Sequence, residues 1–232
     1  MNVIRRIEVF GDSILKGIQI NPLNKRYHVN NNIDINMLSK RFSLDVINNS
    51  KLGCTLTKGK ALLDKFFGKP AECTAIVMNY GGNDCDFNWK SVSENPDAEH
   101  EPNTPIKKFI RLYSDVIEAI KDKGIRPVIA NLTPIDPHRY FSWFSKGLNK
   151  ENILRFLDDV DLIYRFQENY SRTVEKIARN TGAMLVDLRG AFLKERQLGR
   201  FLCEDGIHPN TAGQKLITHG FEEFCKLLPA PA

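Results

Sequence analysis

The chain has 232 residues, 42% hydrophobic and 26% charged, which suits a soluble globular protein read as a single domain over residues 1–232. Its five cysteines form no C-x-x-C pair, which argues against a disulfide framework or a zinc module. The net charge of +5 comes from 33 basic and 28 acidic residues scattered along the chain, with no Lys/Arg block interleaved with aromatics, so no nucleic-acid partner is expected.

The chain enters a strand-like run at once, with no secretory apolar segment and no stretch that could span a bilayer, so a cytoplasmic protein is expected. The first strand is expected at about 4–10 and stops at Gly11. Ser13 follows two residues later. A strand that ends in a tight turn presents a hydroxyl at the carboxyl edge of a sheet. Residues 21–32 are polar and turn-rich and read as loop. Asp34 can cap a short helix through Arg41, and 44–48 reads as the second strand. A helix is expected around 60–67, ended by Gly68. The largely apolar run 74–80 has the signature of a buried central strand.

The polar stretch 86–104 follows, long enough to cover a site. Pro105 then opens a helix whose apolar stripe is Ile106, Phe109, Ile110, Tyr113, Val116, Ile117 and Ile120. Residues 126–132 read as the fourth strand, with Pro127 suited only to its beginning. Residues 133–150 form a second long connection, rich in aromatics. A helix through Leu162, Ile163, Phe166, Tyr170, Val174 and Ile177 precedes the fifth strand at 183–187. Pro209 opens the last helix. Five strands alternating with helices predict an α/β fold, a three-layer α/β/α sandwich with a five-stranded parallel sheet. Right-handed crossovers would place every strand-to-helix turn on one edge.

Ser13 needs a base within hydrogen-bond reach to act as a nucleophile. Among the five histidines, His208 stands in a tight setting, Asp205-Gly206-Ile207-His208-Pro209. Asp205 can receive the imidazole Nδ1–H and leave Nε2 facing the serine. The same string reads equally as a turn before a helix. Oxyanion donors are available in the Ser13 amide, the Gly53 amide after the second strand, and the Asn83 side chain after the third.

Gly11-Asp12-Ser13, Gly53, Gly82-Asn83-Asp84 and Asp205-x-x-His208 together resemble the four blocks of the SGNH hydrolases, also called the GDSL esterase/lipase family. Ile14 stands where leucine is usual. The resemblance implies a flavodoxin-like sandwich, with Ser13 as nucleophile, His208 as base and Asp205 orienting it. It implies Ser13, Gly53 and Asn83 as the oxyanion hole. It also implies a small-molecule ester substrate and no cofactor or metal. The expected activity is cleavage of small or medium acyl esters, such as an acetylated carbohydrate or a short-chain ester, through an acyl-enzyme. The alternatives are a lysophospholipase or thioesterase, and a catalytically silent carbohydrate-binding module. Ser13-Ile14-Leu15-Lys16 also fits S-x-x-K, but no S-D-N or K-T-G follows. Trp89, His138, Tyr140, Phe141 and Trp143, in the two long connections, are the candidate substrate contacts, with the 86–104 and 133–150 segments as candidate lids. Homo-oligomerisation is left open.

Overall fold

The computed structural model describes residues 6–30, 35–68 and 73–227. It runs β1 (Arg6–Gly11), α1 (Ser13–Lys16), β2 (Ile18–Ile20), β3 (Tyr27–Val29), α2 (Ile35–Phe42), β4 (Asp45–Asn48), α3 (Leu56–Phe67) and β5 (Ala75–Asn79). It continues through α4 (Trp89–Glu94), α5 (Ile106–Asp122), β6 (Arg126–Ala130), α6 (Pro137–Phe144), α7 (Lys150–Leu157) and α8 (Leu162–Thr181). It ends with β7 (Met184–Val186), α9 (Leu188–Leu193) and α10 (Thr211–Lys226).

Five strands form one parallel sheet in the order β4-β1-β5-β6-β7. Helices cover both faces, giving the three-layer flavodoxin-like sandwich. Alternation along each strand feeds both layers. Ile7, Val9, Ala75, Val77, Val128 and Ala130 join the core beneath α9 and α10. Phe10, Ile76, Met78 and Ile129 join the opposite core, against α3, α5 and α8. In the register of β1 with β5, Gly11 lies opposite Asn79, so the chain leaves both strands at the same edge.

The structure departs from the sequence reading at four places. Residues 21–30 are not plain loop: they hold β3, which pairs antiparallel with β2 just before them, Ile18 opposite Val29 and Ile20 opposite Tyr27. Two three-residue strands are too short to display alternation. Asp34 and residues 4–5 lie outside the described residues. The two long connections are not open loops: they hold α4 and α6, and α7 begins at Lys150, where the second one ends. Their apolar residues pack with α8 in a separate cluster around Phe87, Trp89, Val92, Ile135, Ile153 and Leu157.

Helix α3 starts at Leu56 because its first free amide donates to both carboxylate oxygens of Asp84, at 3.0 and 3.1 Å. That cap comes from 28 residues away and leaves no local signature. Helix α10 begins at Thr211 rather than Pro209, because the Asn210 side chain caps the Ala212 and Gly213 amides. Among the described residues no helix is long and apolar enough to cross a membrane.

Candidate active site

Strand β1 delivers Ser13 to the carboxyl edge. Asp12 caps the short α1, its Oδ1 accepting from the Ile14 amide at 2.9 Å. The serine is buried, 6% exposed, with its hydroxyl turned toward the loop at 203–208. That loop depends on Gly206, whose φ is +73°. A Cβ there would lie 2.5 Å from the Asp136 carbonyl, and the Asp136 amide donates back to the Gly206 carbonyl at 2.8 Å. Only glycine permits both the left-handed turn and this approach.

The turn brings His208 Nε2 to 2.9 Å from Ser13 Oγ, across 195 residues of chain. On the other side of the ring, Nδ1 lies 2.5 Å from Asp205 Oδ2. Asp205 Oδ1 accepts from the amides of Ile207 and His208 at 3.2 and 3.1 Å. Burial alone would raise this carboxyl; the hydrogen bond and charge of His208, with the two amides, carry it below the ordinary range. An ionised carboxylate only accepts, so Nδ1 carries the imidazole proton and Nε2 is left to accept from the serine.

The segments that carry the oxyanion candidates after β4 and β5 gather around Asp12. Asn83 Nδ2 donates to Asp12 Oδ2 at 3.1 Å and to the Cys54 carbonyl at 3.4 Å. The segment after β4 is tied to β1 through the Lys51 amide, which donates to the Gly11 carbonyl at 3.0 Å. Within that segment Gly53 adopts φ +65°, and a Cβ there would meet nothing within 4 Å, so its backbone faces open space. Burial pushes the Asp12 carboxyl up to about 6, against the lowering effects of the Ile14 amide, His208 and Asn83. Asp84 is likewise pushed up to about 6 by burial, although backbone amides, that of Leu56 among them, oppose the shift.

A cavity of about 80 Å³ opens beside the serine. Ser13, Asn83 and Ile207 are among its lining, together with Phe87, Trp89, Ile135, Tyr140, Ile163 and Phe166. Two acidic groups enter this lining, Asp12 and Asp86. Asp86 accepts from Trp89 Nε1 at 2.8 Å and from Tyr140 Oη at 2.6 Å. Burial raises this carboxyl, opposed by those two hydrogen bonds. Trp89 is locked further by stacking on Phe144, with centroids 4.4 Å apart.

Ser13, Asp205 and His208 therefore converge, with Asn83 next to them. Of the five candidate substrate contacts, Trp89 and Tyr140 line the cavity and His138, Phe141 and Trp143 do not. Helix α6 spreads them over different faces. Phe141 packs edge-on to Phe144 inside the cap. His138 is exposed, with Nε2 3.2 Å from Asp161 Oδ1. Trp143 lies on the outer side, beneath Lys146 and against Tyr27. Tyr27 was missed altogether: its hydroxyl donates to Asp205 Oδ2 at 3.2 Å. Phe87, Ile163 and Phe166 were missed as cavity walls, being indistinguishable in sequence from ordinary core residues. Among the described residues no cluster of three or more His, Cys, Asp or Glu side chains is placed to hold a metal ion.

Comparison with known proteins follows the same lines. Residues 9–216 match the profile of the GDSL-like Lipase/Acylhydrolase family. No curated protein matches the chain. Among solved structures, a lipase/acylhydrolase from Enterococcus faecalis is 18% identical, covering 99% of this chain and 100% of its own, with a TM-score of 0.67. An α/β hydrolase from the metagenome of Lake Arreo, Spain, is 20% identical over 99% of both chains, with a TM-score of 0.68. A catalytic mutant of an acetylxylan esterase from Geobacillus stearothermophilus is 16% identical, covering 100% of this chain and 99% of its own, with a TM-score of 0.68. At such identities these likenesses speak to the fold.

Proposed function

The chain belongs to the GDSL-like lipase/acylhydrolase family and is a carboxylic ester hydrolase, and from that premise we propose that Ser13, His208 and Asp205 cleave short-chain acyl esters through an acyl-enzyme. The observation that carries this reading is the continuous line from Asp205 Oδ2 through the imidazole to Ser13 Oγ, with contacts of 2.5 and 2.9 Å. Ser13 attacks the acyl carbonyl while His208 Nε2 takes its proton. The developing oxyanion is met by the amides of Ser13 and Gly53 and by the Asn83 side chain. His208 then protonates the leaving alcohol, and water releases the acyl group by the same steps.

Cavity size favours a small acyl group. A cavity of roughly 150 Å³ holds a six-carbon ring. The 80 Å³ beside Ser13 suits an acyl chain of about two to four carbons. The acetylxylan esterase among the similar structures is in keeping with an acetylated carbohydrate as substrate.

A fluorophosphonate probe should label the folded protein once, at Ser13. Ser13→Ala should lose the label and slow hydrolysis of p-nitrophenyl acetate by about 10⁴-fold or more. Folded protein that takes up no label would turn the reading toward a carbohydrate-binding module. Faster turnover of decanoyl than of acetyl esters would overturn the short-chain preference.

A further inference from the structure

The β2–β3 hairpin has no part in the chemistry above, yet it holds the loop that carries His208. Two consecutive loop residues meet it. Lys25 pairs with Glu204, and Tyr27 Oη donates to Asp205 Oδ2 at 3.2 Å. The hairpin is anchored beside the nucleophile. Its first strand follows directly on Gly17, which ends α1, and the Asn30 amide donates to the Gly17 carbonyl at 2.8 Å.

A carboxylate offers about four acceptor sites. On Asp205 they meet the amides of Ile207 and His208, the imidazole Nδ1–H and the Tyr27 hydroxyl. The first three donors lie within residues 205–208 and move with the loop. Among the described residues, Tyr27 is the donor that reaches Asp205 from elsewhere, 178 positions away. Its ring stands edge-on to His208, with centroids 5.1 Å apart. Its far side meets Trp143, edge-on, with ring centroids 6.3 Å apart. Burial and then the Asp205 charge push the phenol up to about 12, so it remains a donor at neutral pH.

We propose that Tyr27 is a positioning residue that fixes Asp205, and through it the His208 ring, against Ser13. The inference rests on the Ser13–His208 chemistry proposed above. It has an electrostatic consequence as well as a steric one. The phenol draws charge from the carboxylate oxygen that faces the imidazole. Without it, Asp205 stabilises the imidazolium more strongly, and the base is silenced by protons at a higher pH. Other groups bearing on this pair are Asp12, Glu204 with its partner Lys25, and Cys203. All of them stay in place when only the phenol oxygen is removed.

Tyr27→Phe keeps the ring and deletes the donor. Its kcat should fall roughly tenfold with KM unchanged within about twofold. The acidic limb of its kcat/KM profile should move up by about half a pH unit. The position of that limb does not depend on how much protein folds. Trp143→Phe should give smaller changes in the same directions. A Tyr27→Phe enzyme with parental kcat and an unmoved limb overturns the inference, as does a loss confined to KM. Ser13→Ala, assayed in parallel, separates the two levels. Residual hydrolysis there defeats the underlying site, whereas an inactive Ser13→Ala beside an unaltered Tyr27→Phe defeats only the positioning role.

Discussion

Ser13 and His208 are set by short turns at the sheet edge, whereas the cavity beside them is walled by side chains from α4, α6, α8 and the segments flanking them. The first region is fixed mainly by backbone geometry: a strand end, an Asp cap and a glycine turn pressed against the Asp136 carbonyl. The second is fixed by packing, in a cluster that shares no buried residue with the cores on the two faces of the sheet. The difference teaches where change is tolerated. On the function proposed above, reaction chemistry falls to a frame with little freedom and acyl preference to a separately packed cluster, the cap, which touches that frame where Asp136 meets Gly206.

The sharpest way to break this division is to remove a donor from the frame. Asn83→Ala deletes both the side chain proposed as an oxyanion donor and the partner of Asp12. Turnover of p-nitrophenyl acetate should fall by about 100-fold or more, with KM little changed. A loss below about threefold would remove Asn83 from the oxyanion hole.

A cap substitution should act differently. Trp89→Ala withdraws a cavity wall, the stack on Phe144 and one donor to Asp86. The expected cost is about 3–5 kcal/mol of stability by urea unfolding. Acetyl ester turnover should drop roughly tenfold while hexanoyl or octanoyl esters gain relative to it. If the rate of Ser13 labelling by a small fluorophosphonate also collapses in protein that remains folded, frame and cap are not separable.

The smallest effect sharpens the electrostatics of the frame. Asp12 is raised to about 6 in the fold, against an ordinary value of 3.8. A carboxyl raised in the folded state contributes stability that is fully present below the lower value and is lost as pH rises through the higher one. Parent protein should therefore lose up to about 3 kcal/mol between roughly pH 4 and pH 7 from this group. Asp12→Asn should flatten that part of the profile. Its absolute gain will be smaller, because an amide cannot accept from both Ile14 and Asn83, a loss of about 1 kcal/mol or more. Parallel urea-derived profiles for parent and variant would contradict the buried-carboxylate account.

The sheet is legible in the sequence because each central strand is a short apolar run between turn residues. Ala75 to Met78 and Val128 to Ala130 illustrate this. Ser13, Gly53, Asn83 and His208 are legible as candidates because each sits in local punctuation after a strand or before a helix. What escapes the sequence is whatever depends on a partner far along the chain. Asp84 caps α3 from a distance, Tyr27 meets Asp205, and Phe166 turns into the cavity rather than the main core. Residues 86–104 and 133–150 read as loops because their helices are short and their apolar faces match one another, a pairing that no single periodicity reveals.

The 195-residue gap between Ser13 and its imidazole partner has a consequence for synthesis. A ribosome makes His208 195 residues after Ser13. Until then the growing polypeptide carries the proposed nucleophile without the imidazole that meets its hydroxyl in the fold. On the function proposed above, ester cleavage is withheld until that stretch has been made and the two residues have met.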